Sequence, residues 1–216
     1  GTSSLKGVTV TLNTTSTANL TLQVSATSTT IEVLTSAAQI DTTTAQIQNT
    51  YTTRQVQDLP VNSIGLGVLN LSLLQGGVAT TGALGMGRGP SVGGQRPRNN
   101  NFMVEGVDNN SKSVTGSQVF VPNDAVQEFT VLLNQFQAEY GHSSGGQFNI
   151  GVRTGTNELH GMLYDYMRNR NLRAIDQAFQ NQGLKSVPRY DQNRLGGQVG
   201  GPIRKDKLFY FASFEY

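Results

Sequence analysis

Cysteine and tryptophan are absent from the 216 residues, and histidine occurs only at His142 and His160. Without cysteine there are no disulfides, thiolate metal sites or cysteine nucleophiles, and two imidazoles leave zinc chemistry almost no ligands. Charge is scarce too. Sixteen Lys and Arg and 14 Asp and Glu make up 14% of the chain, against roughly 25% in a typical soluble domain. The formal charge is +2, and no basic run is longer than Arg204-Lys205, so the basic face that nucleic-acid binding needs is missing and no nucleic acid is expected as a partner. No apolar run approaches the roughly 18 residues of a membrane-spanning helix. The opening Gly1-Thr2-Ser3-Ser4 carries neither Met nor signal peptide, and the expectation is an internal piece of a longer, exported chain.

Polarity comes from neutral groups instead: 23 Thr, 16 Ser, 18 Asn and 18 Gln, with 25 Gly besides. This composition favours strands, turns and hydrogen-bonded surfaces over long charged helices. Residues 1–53 hold 17 of the Thr and three charges, Lys6, Glu32 and Asp41. Val8-Thr9-Val10-Thr11-Leu12, Leu20-Thr21-Leu22-Gln23-Val24 and Ile31-Glu32-Val33-Leu34 alternate with period two, which predicts strands. They are too few for a sandwich of their own, so the segment reads as the tail of a domain begun upstream, with a disordered polar tail as the alternative. Thr35 to Asn49 has the composition of a linker.

Residues 50–156 predict an α/β arrangement around a small sheet. Arg54 to Asp58 is a short helical or turn element stopped by Pro60, and Ile64 to Leu74 is a largely apolar helix ending in Gly76-Gly77. Gly82 to Gly94 is a loop with six Gly in 13 residues, and Asn101 to Asp108 alternates as a strand that runs into an Asn-Asn turn. A second helix is expected to open at Asn123 or Asp124 and lead into Phe129-Thr130-Val131-Leu132-Leu133. Gln147 to Arg153 closes the unit as a strand.

In residues 157–216 three segments alternate: Leu159 to Arg168, Arg194 to Gly201 and Leu208 to Tyr216. A long polar connection from Asn169 to Gln192 separates the first two, and a tight one from Pro202 to Lys207 the last two. Strands of about 9 to 11 residues with aromatic ends, long loops on one side and short turns on the other are the signature of transmembrane barrels. Tyr164, Tyr166, Tyr210, Phe214 and Tyr216 read as lipid-facing or girdle residues, the alternative being the core of a soluble sandwich. Three strands cannot close, so the natural chain is expected to continue past Tyr216.

Several separated motifs carry a family resemblance. They are Val56-Gln57-Asp58-Leu59-Pro60-Val61-Asn62, Gly93-Gly94-Gln95-Arg96-Pro97-Arg98-Asn99-Asn100-Asn101-Phe102, Glu105-Gly106-Val107-Asp108-Asn109-Asn110, and Val121-Pro122-Asn123-Asp124-Ala125-Val126-Gln127-Glu128-Phe129. Asn134-Gln135-Phe136, Ala138-Glu139-Tyr140-Gly141, Thr154 to Gly161 and Gly200 to Lys207 continue the order. Together they resemble the plug domain of TonB-dependent outer-membrane receptors, and in particular the Oar-like branch, which carries a carboxypeptidase-regulatory-like β-sandwich before the plug. Two departures stand out: Ile64-Gly65-Leu66-Gly67 replaces the usual Arg-Asn or aromatic run, and Gly151-Val152-Arg153 is a weak version of the usual Val-Thr-Lys strand.

The resemblance implies a fold class and a division of the chain. The tail of the sandwich would occupy 1–28 as β-strands, a linker with the TonB box 29–49, and an α+β plug domain, a small mixed sheet with short helices, 50–156. The first three antiparallel strands of a transmembrane β-barrel would follow in 157–216. In such receptors a barrel of about 22 strands is plugged by the globular domain. The implied partners are TonB with its inner-membrane energising complex, outer-membrane lipid and an extracellular substrate of unknown identity. No cofactor is implied, and the location is the outer membrane, with plug and N-terminal segment in the lumen and periplasm. TonB grips an extended peptide by strand addition. Thr30, Ile31, Glu32, Val33, Leu34, Thr35 and Ser36 are the candidate box, with the last sandwich strand as the other reading. Arg96, Arg98, Asn99, Asn100, Asn101, Glu105, Asp108, Asn109 and Asn110 are candidates for holding the plug in the barrel or touching substrate.

Other motifs carry less. Gly141-His142-Ser143-Ser144-Gly145 fits G-x-S-x-G, yet only Glu158 lies between Ser143 and His160 to orient a base, and a strand rather than a helix follows the serine. A Gly-rich turn is the favoured reading, and no catalytic residue is proposed. Gly85-Met86-Gly87-Arg88-Gly89 lacks the strand before and the Lys-Ser/Thr after it that a phosphate cradle needs. Glu105, Asp108, Asn109 and Asn110 do not have the spacing of an EF-hand calcium loop. The box reading is testable in the intact host protein. Val33→Pro, which removes a backbone donor and fixes φ, is expected to leave substrate binding intact and abolish uptake, and unimpaired uptake would place the box elsewhere.

Overall fold

The structure, a computed structural model, describes residues 5–6, 33–34, 45–59, 66–80, 89–113, 115–172, 174–175, 177–183, 185–186 and 191–216. The chain forms two units, Gly1–Val152 and Arg153–Tyr216. In the first, β1 (Leu5–Lys6) pairs in parallel with β2 (Val33–Leu34). The expected strands Val8 to Leu12 and Leu20 to Val24 lie outside the described residues, as does the candidate box apart from Val33 and Leu34.

β3 (Ile47–Thr52) opens the main sheet and passes directly into α1 (Thr53–Asp58). Gln55 Oε1 accepts from Thr52 N at 3.0 Å, which satisfies the donor at the helix start, and α1 turns Val56 inward. An eight-residue 3-10 helix follows at Gly67–Leu74, much longer than such helices usually run. Val68, Leu69 and Leu71 are buried, Ser72 Oγ donates to Leu69 O at 2.7 Å, and Tyr51 Oη donates to Leu71 O at 2.8 Å. Packing and these side-chain bonds offset the poorer backbone geometry. β4 (Val78–Thr80) and β5 (Pro90–Val92) form a two-stranded ribbon.

β6 (Asn101–Val104) and β7 (Val107–Asp108) make a hairpin whose two turn residues, Glu105 and Gly106, both have positive φ, 52° and 75°. β8 (Val126–Asn134) and β9 (Gln147–Val152) complete a five-stranded sheet in the order β3-β8-β9-β6-β7. β6 and β9 run parallel and the other pairs antiparallel. The sheet has two unlike faces. On one, rings stack from strand to strand: Tyr51 on Phe129 at 6.0 Å, Phe129 on Phe148 at 6.3 Å, and Phe148 on Phe102 at 5.2 Å. On the other, polar side chains meet in register, half-buried Thr50 with buried Thr130 and buried Asn101 with buried Gln147.

The second unit is an antiparallel sheet in the order β10-β11-β12, made of β10 (His160–Arg168), β11 (Gln192–Arg204) and β12 (Leu208–Glu215). A short helix, α2 (Gln177–Asn181), sits in the long connection. The tight turn is braced from the approach to β10, since Asn157 Nδ2 donates to Asp206 Oδ1 at 2.6 Å and Asp206 N to Asn157 Oδ1 at 2.8 Å. Gly196 is required by its neighbour, because a Cβ there would collide with the Tyr164 ring lying across it.

Four expectations need correction. The second helix is only a 3-10 turn, Asn123–Ala125, and the strand that follows starts at Val126, ahead of Phe129. Pro122, Asn123 and Asp124 do mark a turn, but Val126 is fully buried and already paired with Val152, and that packing overrides helix-start signals. The strand expected over Asn101 to Asp108 reverses at Glu105-Gly106, before the Asn pair. The linker ends at β3 rather than Asn49, because an edge strand reading Ile-Gln-Asn-Thr-Tyr-Thr is half exposed and shows little apolar pattern. Within the Gly-rich loop, Pro90–Val92 is a strand. Replacing the ring that touches both neighbours, Phe148→Ala, is expected to cost about 3 to 5 kcal/mol. Denaturant unfolding followed by circular dichroism checks this, and a loss below about 1 kcal/mol would mean that the ring stack does not hold the sheet.

Candidate functional site

The Asn-rich candidates converge at the start of β6 and β9. Asn100 and Asn101 follow a 3-10 turn, Pro97–Asn99, that sets them beside the loop before β9. An amide side chain presents one donor and one acceptor group, as a peptide does, so it can replace missing backbone partners in irregular chain. Asn100 Nδ2 donates to Pro90 O at 2.7 Å while its Oδ1 accepts from Gly146 N at 2.9 Å. Asn101 Nδ2 donates to Gln147 Oε1 at 2.8 Å, and Gln147 Nε2 donates to Gly141 O at 2.8 Å. Asn109 grips Val119 from both sides, Nδ2 to Val119 O at 3.0 Å and Val119 N to Oδ1 at 2.9 Å. Asn110 Nδ2 is shared between Asn101 Oδ1 at 2.6 Å and Asp108 Oδ1 at 2.5 Å.

These bonds leave Asn100, Asn101 and Asn109 buried and engaged inside the unit. Asn99 contributes its carbonyl, which accepts from Ser143 Oγ at 2.7 Å and Gly145 N at 3.0 Å, and its amide, which donates to Gln95 Oε1 at 2.8 Å. Gly145 must be glycine because a Cβ would strike Asn100 Oδ1 and the Asn99 carbonyl. Ser143, the serine of the G-x-S-x-G match, is thus a loop tie. Glu105 Oε1 accepts from Val152 N at 2.6 Å and ties the hairpin turn to the end of β9. Gln147 and Asn149, which the motifs did not single out, belong to the same network; Asn149 Oδ1 accepts from Gly106 N at 3.1 Å.

Arg96, Arg98, Glu105 and Asp108 are exposed around this knot. Asp108 is held below the ordinary aspartate value of 3.8, first by the hydrogen bond from the Asn110 backbone, then by the Asn110 side chain, with smaller help from His142 and Lys112. Among the described residues no group of three or more His, Asp or Glu could hold a metal. Arg98, Lys112 and His142 line a shallow cleft of about 170 Å³ beside the network. Of the candidate box, Val33 and Leu34 are seen, hydrogen-bonded in the parallel ladder with Leu5 and Lys6.

The three-stranded unit sorts its side chains by chemistry. Leu163, Gly197 and Phe214 are in register, as are Gly161, Val199 and Ala212, and Leu163, Leu195 and Phe214 are exposed on that face. The opposite face brings Tyr164, Gly196 and Glu215 together. There Tyr164 Oη donates to Glu215 Oε2 at 3.2 Å, Arg194 Nη1 pairs with Glu215 Oε1 at 3.2 Å, and Arg194 lies 5.0 Å from the Tyr166 ring centroid. Tyr164 and Tyr166 are therefore on the polar face, opposite Phe214, and the grouping of all five aromatics on one side is corrected. A ring with a hydroxyl can serve the polar face where an acidic partner is in reach.

Comparison with known proteins bears on up to 78% of the chain. The family of outer membrane beta barrel domains matches residues 152–216. The TonB-dependent transporter Oar of Myxococcus xanthus is 28% identical over 129 residues, 58% of this chain and 12% of the relative. The probable TonB-dependent siderophore receptor PirA of Acinetobacter baumannii is 30% identical over 146 residues, 62% of this chain and 18% of the relative. The chain thus spans less than a fifth of the curated relatives it matches. The crystal structure of PirA from Acinetobacter baumannii superposes with a TM-score of 0.60 at 24% identity, covering 78% of this chain and 24% of that one. The outer membrane transporter YddB from Escherichia coli gives 0.55 at 16% identity, covering 78% and 26%. The resemblance read from the motifs holds: the chain is similar to TonB-dependent receptors and transporters, Oar among them, and its residues 152–216 match outer membrane beta barrel domains.

The Asp108 geometry carries a signed prediction. A carboxyl that is a stronger acid when folded steadies its turn above 3.8, and that contribution is lost as pH falls through the lowered value. A nuclear magnetic resonance titration should place the Asp108 midpoint below 3.8, and Asn110→Ala should return it towards 3.8. An unchanged midpoint in that variant would remove Asn110 as the cause.

Proposed function

We propose that the chain is the part of a TonB-dependent outer-membrane receptor that gates energy-dependent import. In this reading 1–28 is the tail of a regulatory-like sandwich, 29–49 a linker with the TonB box at Thr30 to Ser36, 50–156 the plug, and 157–216 the first three barrel strands. TonB with its energising complex is the partner, and an extracellular solute the cargo. The observation that carries the reading is the pair of opposite faces on β10-β11-β12. A face that carries Leu163, Leu195 and Phe214, with Asp165 opposite Leu195, is mostly apolar and suits lipid, and a face with the Arg194–Glu215 pair suits a polar lumen. The mixed sheet before it, tied by neutral amides, suits a plug that is held by polar contacts and can be released.

A second reading has one observation in its favour. Val33 and Leu34 already have strand partners in Leu5 and Lys6, which competes with strand addition to TonB. A receptor that binds or adheres at the surface without active transport would need no such addition. Energised uptake of cargo by the intact receptor, abolished when TonB is deleted, distinguishes the two.

The lipid-face assignment is tested by charge placement in the full-length protein. Leu163→Arg should lower barrel stability by about 2 to 4 kcal/mol and reduce the outer-membrane yield. Gln198→Arg, in register with Met162 and Ser213 on the other face, should assemble normally. Equal tolerance of the two would contradict a lipid-facing Leu163.

A further inference from the structure

The cleft beside the amide network brings together Arg98, Lys112 and His142, and the titratable side chains that line it are all basic. Its volume of about 170 Å³ is close to that of the roughly 150 Å³ cavity known to take up benzene, so it has room for a ligand of a few heavy atoms. The backbone under each of the three is held by a different restraint. Arg98 sits inside the 3-10 turn Pro97–Asn99, between the buried Pro97 and the tied Asn99. Lys112 rides on a loop closed by the Asn110↔Ser117 bridge and by Ser111 N donating to Gly116 O at 2.8 Å. His142 has a φ of +62°, held between Gly141, which accepts from Gln147, and Ser143, which donates to Asn99. Neither Arg98 nor Lys112 is in an ion pair among the described residues.

Two cations and an imidazole converging on one polar hollow with no carboxylate in its lining select for negative charge. The amide network then has a function beyond satisfying the backbone, since it sets the spacing of loops that would otherwise drift. Asp108 stands next to the cleft, near enough to feel His142 and Lys112, and two of its contacts anchor its carboxylate on Asn110. It would oppose an anion. We infer that this cleft binds a small dianion, a phosphate or dicarboxylate group of a ligand from solution, through Arg98, Lys112 and His142. The inference names a ligand class for the receptor proposed above, but binding itself needs neither TonB nor an energised membrane.

The test is calorimetric titration of the purified full-length protein in detergent with inorganic phosphate and, separately, with succinate. Saturable binding is expected for at least one of them, weakening with added salt. Arg98→Gln and Lys112→Gln should each weaken it about tenfold; both side chains are exposed, so the fold is kept. Lys112→Arg should retain it, and Asp108→Asn should tighten it by removing the nearby negative charge. The opposite signs separate recognition from a structural role, which would weaken binding in every variant. No saturable binding of either probe, or binding unchanged in both glutamine variants, overturns the inference. Because uptake is not measured, loss of import in a TonB deletion leaves this result untouched, and a failed titration leaves the transport reading standing.

Discussion

With so little charge available, each strand must tell its two faces apart by apolar against amide or hydroxyl groups, and the period of two along the strand makes that distinction all-or-none. Both units follow from this constraint. In the mixed sheet the alternation puts Tyr51, Phe129, Phe148 and Phe102 on one face as a ring stack and Thr130, Gln147 and Asn101 on the other. In the three-stranded sheet it puts Leu163 and Phe214 on one face and Tyr164, Arg194 and Glu215 on the other. The difference between the units is what covers the apolar face. The ring stack is buried by α1 and the 3-10 helix, while Leu163, Leu195 and Phe214 are open, as lipid-facing side chains are in a sheet of this kind.

The amide network depends on the aromatic face. Phe102 and Phe148 fix the parallel register of β6 and β9, and only in that register does Asn101 stand opposite Gln147. From there the bonds run outward to Gly141, Asn110 and Asp108, so loops far apart in sequence share one set of hydrogen bonds. Neutral amides suit this role because a buried ion pair in the same place would carry a large desolvation cost. Cationic groups are left at the periphery, where they can meet a ligand.

Much of this was legible in the sequence. The alternation in Leu159 to Arg168 and Leu208 to Tyr216 located β10 and β12 within a residue or so, because an exposed apolar face opposite a polar one is the strongest periodic signal a strand can give. The separated motifs gave the family, which no single element would have done. The strand through Phe129 to Leu133 was legible, but the helix expected before it was not real: Pro122-Asn123-Asp124 carries turn chemistry that imitates a helix start, and β8 begins at Val126, directly after the 3-10 turn. The engagement of Asn100, Asn101 and Asn109 was hidden for another reason. Two of their partners, Gly146 and Gln147, lie 46 residues away and are brought in by the parallel pairing of β6 and β9, while Pro90 and Val119, ten residues away, arrive through loops whose folding the sequence does not spell out. The basic cleft was invisible in the sequence on the same ground, since Arg98, Lys112 and His142 belong to three separate loops.

The central claim is that β10-β11-β12 shows one face to lipid, and site-directed spin labelling measures that directly. Single cysteines placed in turn along β10 and β12 of the full-length protein in bilayers, each carrying a nitroxide, report oxygen and aqueous-reagent accessibility residue by residue. The account predicts a period of two, with oxygen accessibility high at 163, 212 and 214 and low at 162, 164, 213 and 215. A flat profile, or one with the two sets exchanged, would contradict it.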